Sequence, residues 1–165
     1  IEERKNLINI LKALKIKKIG IPLVAIGRKT DYYHKTIKPF LEDNKMDIII
    51  FPREVNNDEL PALYQNAFCF IYPSFFEGFG IPVLEAITSG TAVITSKGGC
   101  FEETGGPGSI YIDPHNPDEI GDAILQITGN QKLRSSLVEK GFEHAILYSS
   151  DQVAKKYINL YKTLI

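Results

Sequence analysis

In the stretch Phe68-Cys69-Phe70-Ile71-Tyr72-Pro73-Ser74-Phe75-Phe76-Glu77-Gly78-Phe79-Gly80-Ile81-Pro82-Val83-Leu84-Glu85-Ala86, the hydrophobic pattern changes twice. A continuous apolar run ends at Pro73-Ser74, a loop with two glycines follows, and a helical pattern begins near Pro82. An apolar run without alternation predicts a strand covered on both faces, which is the habit of parallel sheets. A helix that starts beyond the carboxyl end of such a strand presents amide groups and a partial positive charge, a ready place for a diphosphate. Gly78 and Gly80 take away side chains that would hold a phosphate off the backbone, and Pro82 at the first helical position sacrifices no useful hydrogen bond. An ordinary strand-to-helix turn accounts for the glycines equally well.

The carboxylates Glu77 and Glu85 separate the two readings. Next to a diphosphate, ionised acids are repelled unless they accept from hydroxyl donors, and sugars supply such donors. Glu85, one turn into the helix, suits the vicinal hydroxyls of a ribose, and Glu77, ahead of it, suits those of a transferred hexose. Favourable interaction with the helix dipole would explain Glu85 but not Glu77.

The same alternation extends along the whole chain. Strands are predicted at 21–27, 47–51, 68–72, 91–95 and 109–112. Helices are predicted at 6–17, 31–42, 58–66 and 82–89, then at 117–128, 131–146 and 151–164. This is a doubly wound, Rossmann-like α/β pattern: a parallel sheet with helices on both faces, in a single domain over residues 1–165. Asn116-Pro117-Asp118-Glu119 reads as a helix cap, a first-turn proline and first-turn acids. Such a sheet ordinarily opens on a strand, yet charged residues here run straight into a helix, so a first strand and a preceding domain are expected upstream of Ile1.

With 165 residues, 44% hydrophobic and 24% charged, the composition is that of a globular domain. No apolar run is long enough to cross a bilayer, and the two cysteines are too few for a disulfide framework, which together predict a cytoplasmic protein. The net charge of −1 conceals an asymmetry, with 11 Lys/Arg against 5 Asp/Glu in residues 1–45 and 2 against 12 in residues 46–125. No basic stripe interleaved with aromatics marks a nucleic-acid partner. His34, His115 and His144 lack ligand spacing and no Asp-x-Asp pair occurs, so metal-independent chemistry with no cofactor is expected. No Gly-x4-Gly-Lys-Ser/Thr motif is present, and the glycines between Gly98 and Gly108 read as a flexible loop lining the cleft.

Pro73-Ser74, Glu77 to Ala86 and Gly90-Thr91-Ala92-Val93-Ile94-Thr95-Ser96 together resemble the donor-site signature of glycosyltransferase family 4, a retaining group with the two-domain GT-B fold. Glu3-Arg4-Lys5-Asn6-Leu7 resembles the segment after the first strand of that family's C-terminal domain, and Glu103 stands where the family has a loop glutamate. The resemblance covers essentially the whole chain and leaves the N-terminal acceptor domain unrepresented.

It implies a hexosyltransferase acting with retention of configuration on a UDP- or GDP-linked sugar, with a glycan or lipid-linked saccharide as acceptor. Lys5 and Glu77 are then the catalytic groups, Lys5 on the donor diphosphate and Glu77 on hexose hydroxyls, and neither acid is a general base. The donor is further held by Gly78, by the amides of Phe79, Gly80 and Ile81, and by Glu85 on the ribose, with the base near Phe51-Pro52-Arg53. Partners are the nucleotide sugar and the chain's own acceptor domain, which could bring it to the inner face of the membrane. The chain alone is expected to be inactive. It departs from the family at Ala92, where many members have Pro, and at Ser149-Ser150-Asp151, where a Trp is frequent. A nucleotide-sugar epimerase of the same fold, or a non-catalytic nucleotide-sugar-binding module, are the rival readings.

Overall fold

Strand β4, Val93–Ser96, shows how the layers are arranged, because all four of its residues are buried and successive side chains enter different cores. Val93 joins the core formed by α4 (Ile81–Thr88), whereas Ile94 joins that of α1 (Leu7–Ile16) and α6 (Pro117–Gly129). Neighbouring side chains on a strand point to opposite faces, so helices cover both faces of the sheet. The computed structural model describes residues 1–164. The remaining elements are β1 (Leu23–Val24), α2 (Lys38–Asp43), β2 (Ile49–Ile50), α3 (Leu60–Gln65), β3 (Phe70–Tyr72), α5 (Cys100–Gly105), β5 (Ser109–Ile112), α7 (Gln131–Ala145) and α8 (Ser150–Thr163).

All strand pairs are parallel. β4 lies between β3 and β5, with Phe70 opposite Val93 and Ile94 opposite Ile110, while β1 pairs with β2 through Leu23 and Ile49. Among the described residues no hydrogen-bonded ladder joins these two sets. They nevertheless share the larger core, where Leu23, Ile49, Ile71 and Ile110 pack against buried Leu11, Leu14, Ile94, Ile120 and Ile124. The predicted α/β class, parallel strands and helices on both faces are those observed.

Several boundaries differ. Strands β1 to β4 are shorter than the apolar runs that predicted them, because only part of each run finds a backbone partner, whereas β5 occupies the predicted 109–112. The run at 47–51 is not covered on both sides: Ile50 is 50% exposed and lies on the same face as Val24 and Ile26, also close to half exposed. The helix predicted at 31–42 is a π turn (Tyr33–Ile37) that passes into α2. The glycine-rich stretch taken for a flexible loop contains α5, with Phe101 and Thr104 buried, and a 3-10 turn. Asn116 does cap α6, accepting from the amides of Asp118 and Glu119.

Helix α8 buries no residue and packs chiefly on the turn Ile146–Tyr148 that precedes it. No helix among the described residues is long and apolar enough to cross a membrane.

Candidate active site

The site begins with Asn6, which is fully buried in the left-handed conformation (φ 60°) between a short 3-10 turn, Glu3–Lys5, and α1. Its Nδ2 donates to the carbonyl of Pro73 (3.0 Å) and to that of Pro114 (2.7 Å), tying the start of the chain to the carboxyl ends of β3 and β5. The Phe75 amide and the Ser74 hydroxyl both donate to the Arg4 carbonyl, each at 2.9 Å. Two β4 hydroxyls fix the same region from the other side, Thr95 on the Tyr72 carbonyl and Ser96 on the Ser74 carbonyl. This stitching brings Arg4 and Lys5, about seventy positions away in sequence, against the loop after β3.

Glu77 lies at the centre, its side chain 13% exposed. One oxygen, Oε1, accepts from Arg4 Nη1 (2.6 Å), Lys5 Nζ (2.8 Å) and the Tyr72 hydroxyl (2.6 Å), and lies 3.1 Å from the Ser74 hydroxyl, whose single proton it shares with the Arg4 carbonyl. No described residue donates to its other oxygen. Burial alone would raise the Glu77 carboxyl, but the hydrogen bonds from Lys5 and Tyr72, the charge of Lys5 and the Ser74 hydroxyl outweigh it and bring the group down to about 2. The carboxyl is therefore ionised at neutral pH and can only accept. Lys5 Nζ also donates to the Tyr72 hydroxyl and lies 4.6 Å from the centre of that ring. An ammonium has three N–H groups, so one remains for a further acceptor. Burial, together with the hydrogen bond to Glu77, pushes the Tyr72 phenol far up, keeping it a donor.

Glu85 stands exposed one turn into α4 and accepts from the Tyr64 hydroxyl through Oε2 at 3.2 Å. The amides of Phe79, Gly80 and Ile81 find no acceptor among the described residues, so the entrance to α4 offers three N–H groups beside the Lys5–Glu77 cluster. A Cβ placed on Gly78 would meet open space, in keeping with room for a ligand. Gly80 differs. It is buried with φ +86°, and a Cβ there would approach the Thr104 hydroxyl to 3.0 Å. Backbone conformation and packing therefore require this glycine, and phosphate access is not its reason. The Cys100 thiol, from α5, touches the Glu77 carbonyl at 3.3 Å. In the same loop Glu102 accepts from the Gly98 amide, whereas Glu103 contributes its carbonyl to Tyr148 and His144.

Lys5, Glu77, Phe79, Gly80, Ile81 and Glu85 thus gather at one end of the sheet. Arg53 is exposed after β2, and no described contact links it to them. Arg4, Asn6, Tyr64, Tyr72 and Ser74 were not predicted as site residues. Tyr72 lies in the apolar run that predicts a strand and Tyr64 in the predicted helix 58–66, and nothing in their spacing shows that their hydroxyls reach the two acids. A cleft of about 810 Å³ lies elsewhere, between α7 and the residues preceding β3 and β4, lined by Phe68, Arg134 and Phe142. The cluster around Glu77 instead faces an open surface edged by exposed Phe76 and Ile81.

Comparison with known proteins identifies the family and the fold. The model of the family described as glycosyl transferases group 1 matches residues 1–144. The chain is 29% identical over 170 residues to the O-antigen chain mannosyltransferase B of Escherichia coli, covering 99% of this chain and 44% of that protein. Sucrose-phosphate synthase from Thermosynechococcus elongatus superposes with a TM-score of 0.86 at 22% identity, over 99% of this chain and 43% of that one. Anabaena HepE, solved in complex with UDP and glucose, superposes with a TM-score of 0.82 at 17% identity, over 96% and 46%. The chain spans less than half the length of the curated relatives and solved chains just named.

Proposed function

The chain belongs to the glycosyl transferases group 1 family, and from that premise we propose that it is the donor-binding half of a retaining hexosyltransferase using a UDP- or GDP-linked sugar. What carries the reading is the Glu77 carboxylate: ionised, nearly buried, held on one oxygen by Lys5 and Tyr72, and adjacent to the open amides at the entrance to α4. Cations and amides beside an acid that can only accept suit a ligand that carries both phosphate and hydroxyl groups.

In this proposal the remaining N–H of Lys5 and the amides of Phe79, Gly80 and Ile81 hold the diphosphate. They stabilise the charge that grows on it as the glycosidic bond breaks, which is where preorganised donors lower a barrier most. The second oxygen of Glu77 accepts from hexose hydroxyls, and Glu85 accepts from the ribose. The acceptor hydroxyl attacks from the face that the nucleoside diphosphate leaves, a phosphate oxygen takes its proton, and no metal is required. A glycan or lipid-linked saccharide is the proposed acceptor, consistent with the O-antigen relative, and a preceding domain is proposed to bind it. The free edges of β1 and β3 would receive a further strand of that preceding chain, in line with the break in the sheet.

Thermal shift with UDP, GDP and their hexose conjugates tests the reading. A nucleoside diphosphate at about 100 times its dissociation constant stabilises by about 2.7 kcal/mol, which is readily seen as a raised melting temperature. No shift with any of these ligands, in parallel with no transfer by the full-length protein across a panel of donors, rejects it.

A further inference from the structure

Each of the two acids proposed to read sugar hydroxyls is held by a tyrosine, and the tyrosines belong to one row of rings. Tyr72 and Phe70 stack with centroids 5.6 Å apart and planes 20° apart, and Phe70 meets Tyr64 edge-on at 5.1 Å. The Tyr72 hydroxyl closes one end on Glu77 Oε1, and the Tyr64 hydroxyl closes the other on Glu85 Oε2. Both tyrosines are also anchored through their carbonyls by threonine hydroxyls, Tyr64 by Thr91 (2.6 Å) and Tyr72 by Thr95 (2.9 Å). For each acid, the other oxygen receives no donor from the described residues. A carboxylate with one oxygen tied and one free is limited in rotation, and its free lone pairs point in a set direction.

We propose that Tyr72 and Tyr64 are the positioning residues of the donor site, with the row Tyr72–Phe70–Tyr64 fixing the separation and orientation of the hexose-reading and ribose-reading carboxylates. The inference rests on the donor-site reading given above. The division of labour follows from the contacts. Tyr72 acts on the sugar half through Glu77, and it shares that carboxylate with Arg4 and Lys5 from the N-terminal turn and with Ser74. Cys100 from α5 touches only the Glu77 main chain. Tyr64 acts on the nucleoside half alone.

Replacing either tyrosine with phenylalanine keeps the ring row and removes only the hydroxyl. In the full-length protein, Tyr72→Phe should lower kcat/KM for the nucleotide sugar by about 10- to 100-fold, the range for a lost hydrogen bond to a charged group. Its affinity for the free nucleoside diphosphate, which Tyr72 touches only through Lys5, should change much less than this. Tyr64→Phe should instead weaken binding of the nucleoside diphosphate several-fold and leave kcat nearly intact. Carboxyl carbon NMR gives a readout that a merely structural role would not move: the Glu77 titration should rise in Tyr72→Phe and not in Tyr64→Phe.

Glu77→Gln and Glu85→Gln serve as references. If neither alters donor use, the donor-site reading itself fails. If both do, while the two phenylalanine variants match the parent in kinetics and Tyr72→Phe leaves the Glu77 titration in place, the positioning role is overturned and the donor site stands. Equal melting temperatures of parent and phenylalanine variants separate these outcomes from misfolding.

Discussion

Glu77 and Lys5 illustrate how much a single residue depends on partners that are remote in sequence. The carboxyl lies well below its ordinary value of 4.5, at about 2, with burial opposing and the donors Lys5 and Tyr72 prevailing. A depressed folded-state value means that the group stabilises the fold in its ionised form. That contribution is complete above pH 4.5 and disappears as the pH falls toward 2. Urea midpoints measured across this window should therefore fall more steeply for the parent than for Glu77→Gln, which has no proton to bind. Lys5 is predicted to matter more for turnover than for folding, since its side chain remains 30% exposed. Losing one preorganised donor at a developing anion costs about 3–4 kcal/mol of barrier, so Lys5→Ala should reduce kcat roughly 100- to 1000-fold, a larger effect than the fall in melting temperature that follows from leaving Glu77 with fewer donors. Equal activity of variant and parent at saturating donor would remove Lys5 from the mechanism.

At the level of elements, close backbone contact decides where helices sit. α7 reaches the turn before β5 through two glycines: a Cβ on Gly108 would come within 2.4 Å of Gly141 Cα and 2.9 Å of the Leu137 carbonyl. All of these neighbours are backbone atoms that cannot rotate away, and Leu137 beside them belongs to the main core. Gly108→Ala is expected to destabilise by about 1–3 kcal/mol or more through forced displacement of α7, seen as a lower denaturant midpoint. Gly129→Ala, at the end of α6 where an added Cβ meets nothing within 4 Å, should be neutral or mildly stabilising. The sequence shows that α7 exists and approximately where it ends. It gives no sign that Gly108 and Gly141 touch, because that contact joins elements on either side of β5 and α6.

For the molecule as a whole, apolar surface is unevenly covered. α8 exposes Tyr157, Ile158, Leu160 and Tyr161, each more than half accessible, although their spacing is that of a helix face built for burial. A helix that buries nothing adds little to the stability of what it hangs from. Ending the chain after Ser149 is accordingly predicted to leave its melting temperature within about 2 °C, as measured by calorimetry, and to reduce any self-association of the isolated chain. A fall of more than about 5 °C would show that α8 supports the core. The β1–β2 face, with Val24, Ile26 and Ile50, is exposed in the same way, and here the period-based expectation of two-sided burial failed. An apolar run reports that a segment suits burial, not which neighbour buries it.

By itself the sequence determined the α/β class, the order of strands and of all helices but α5, and the loop before α4 that holds the proposed donor site, because these follow from local periodicity, glycine placement and capping. It also singled out Glu77, Glu85 and Lys5, through residue chemistry and a long motif. Tertiary structure alone decided that Lys5 meets Glu77, that Gly80 is a glycine on account of Thr104, and that the two acids hang from one row of aromatic rings. Those facts depend on parallel pairing, which places β3 beside β4 and sets the N-terminal turn against their ends. No local pattern encodes contacts between segments some seventy residues apart. They arise only when the shared core closes and forces the polar groups at its rim to find one another.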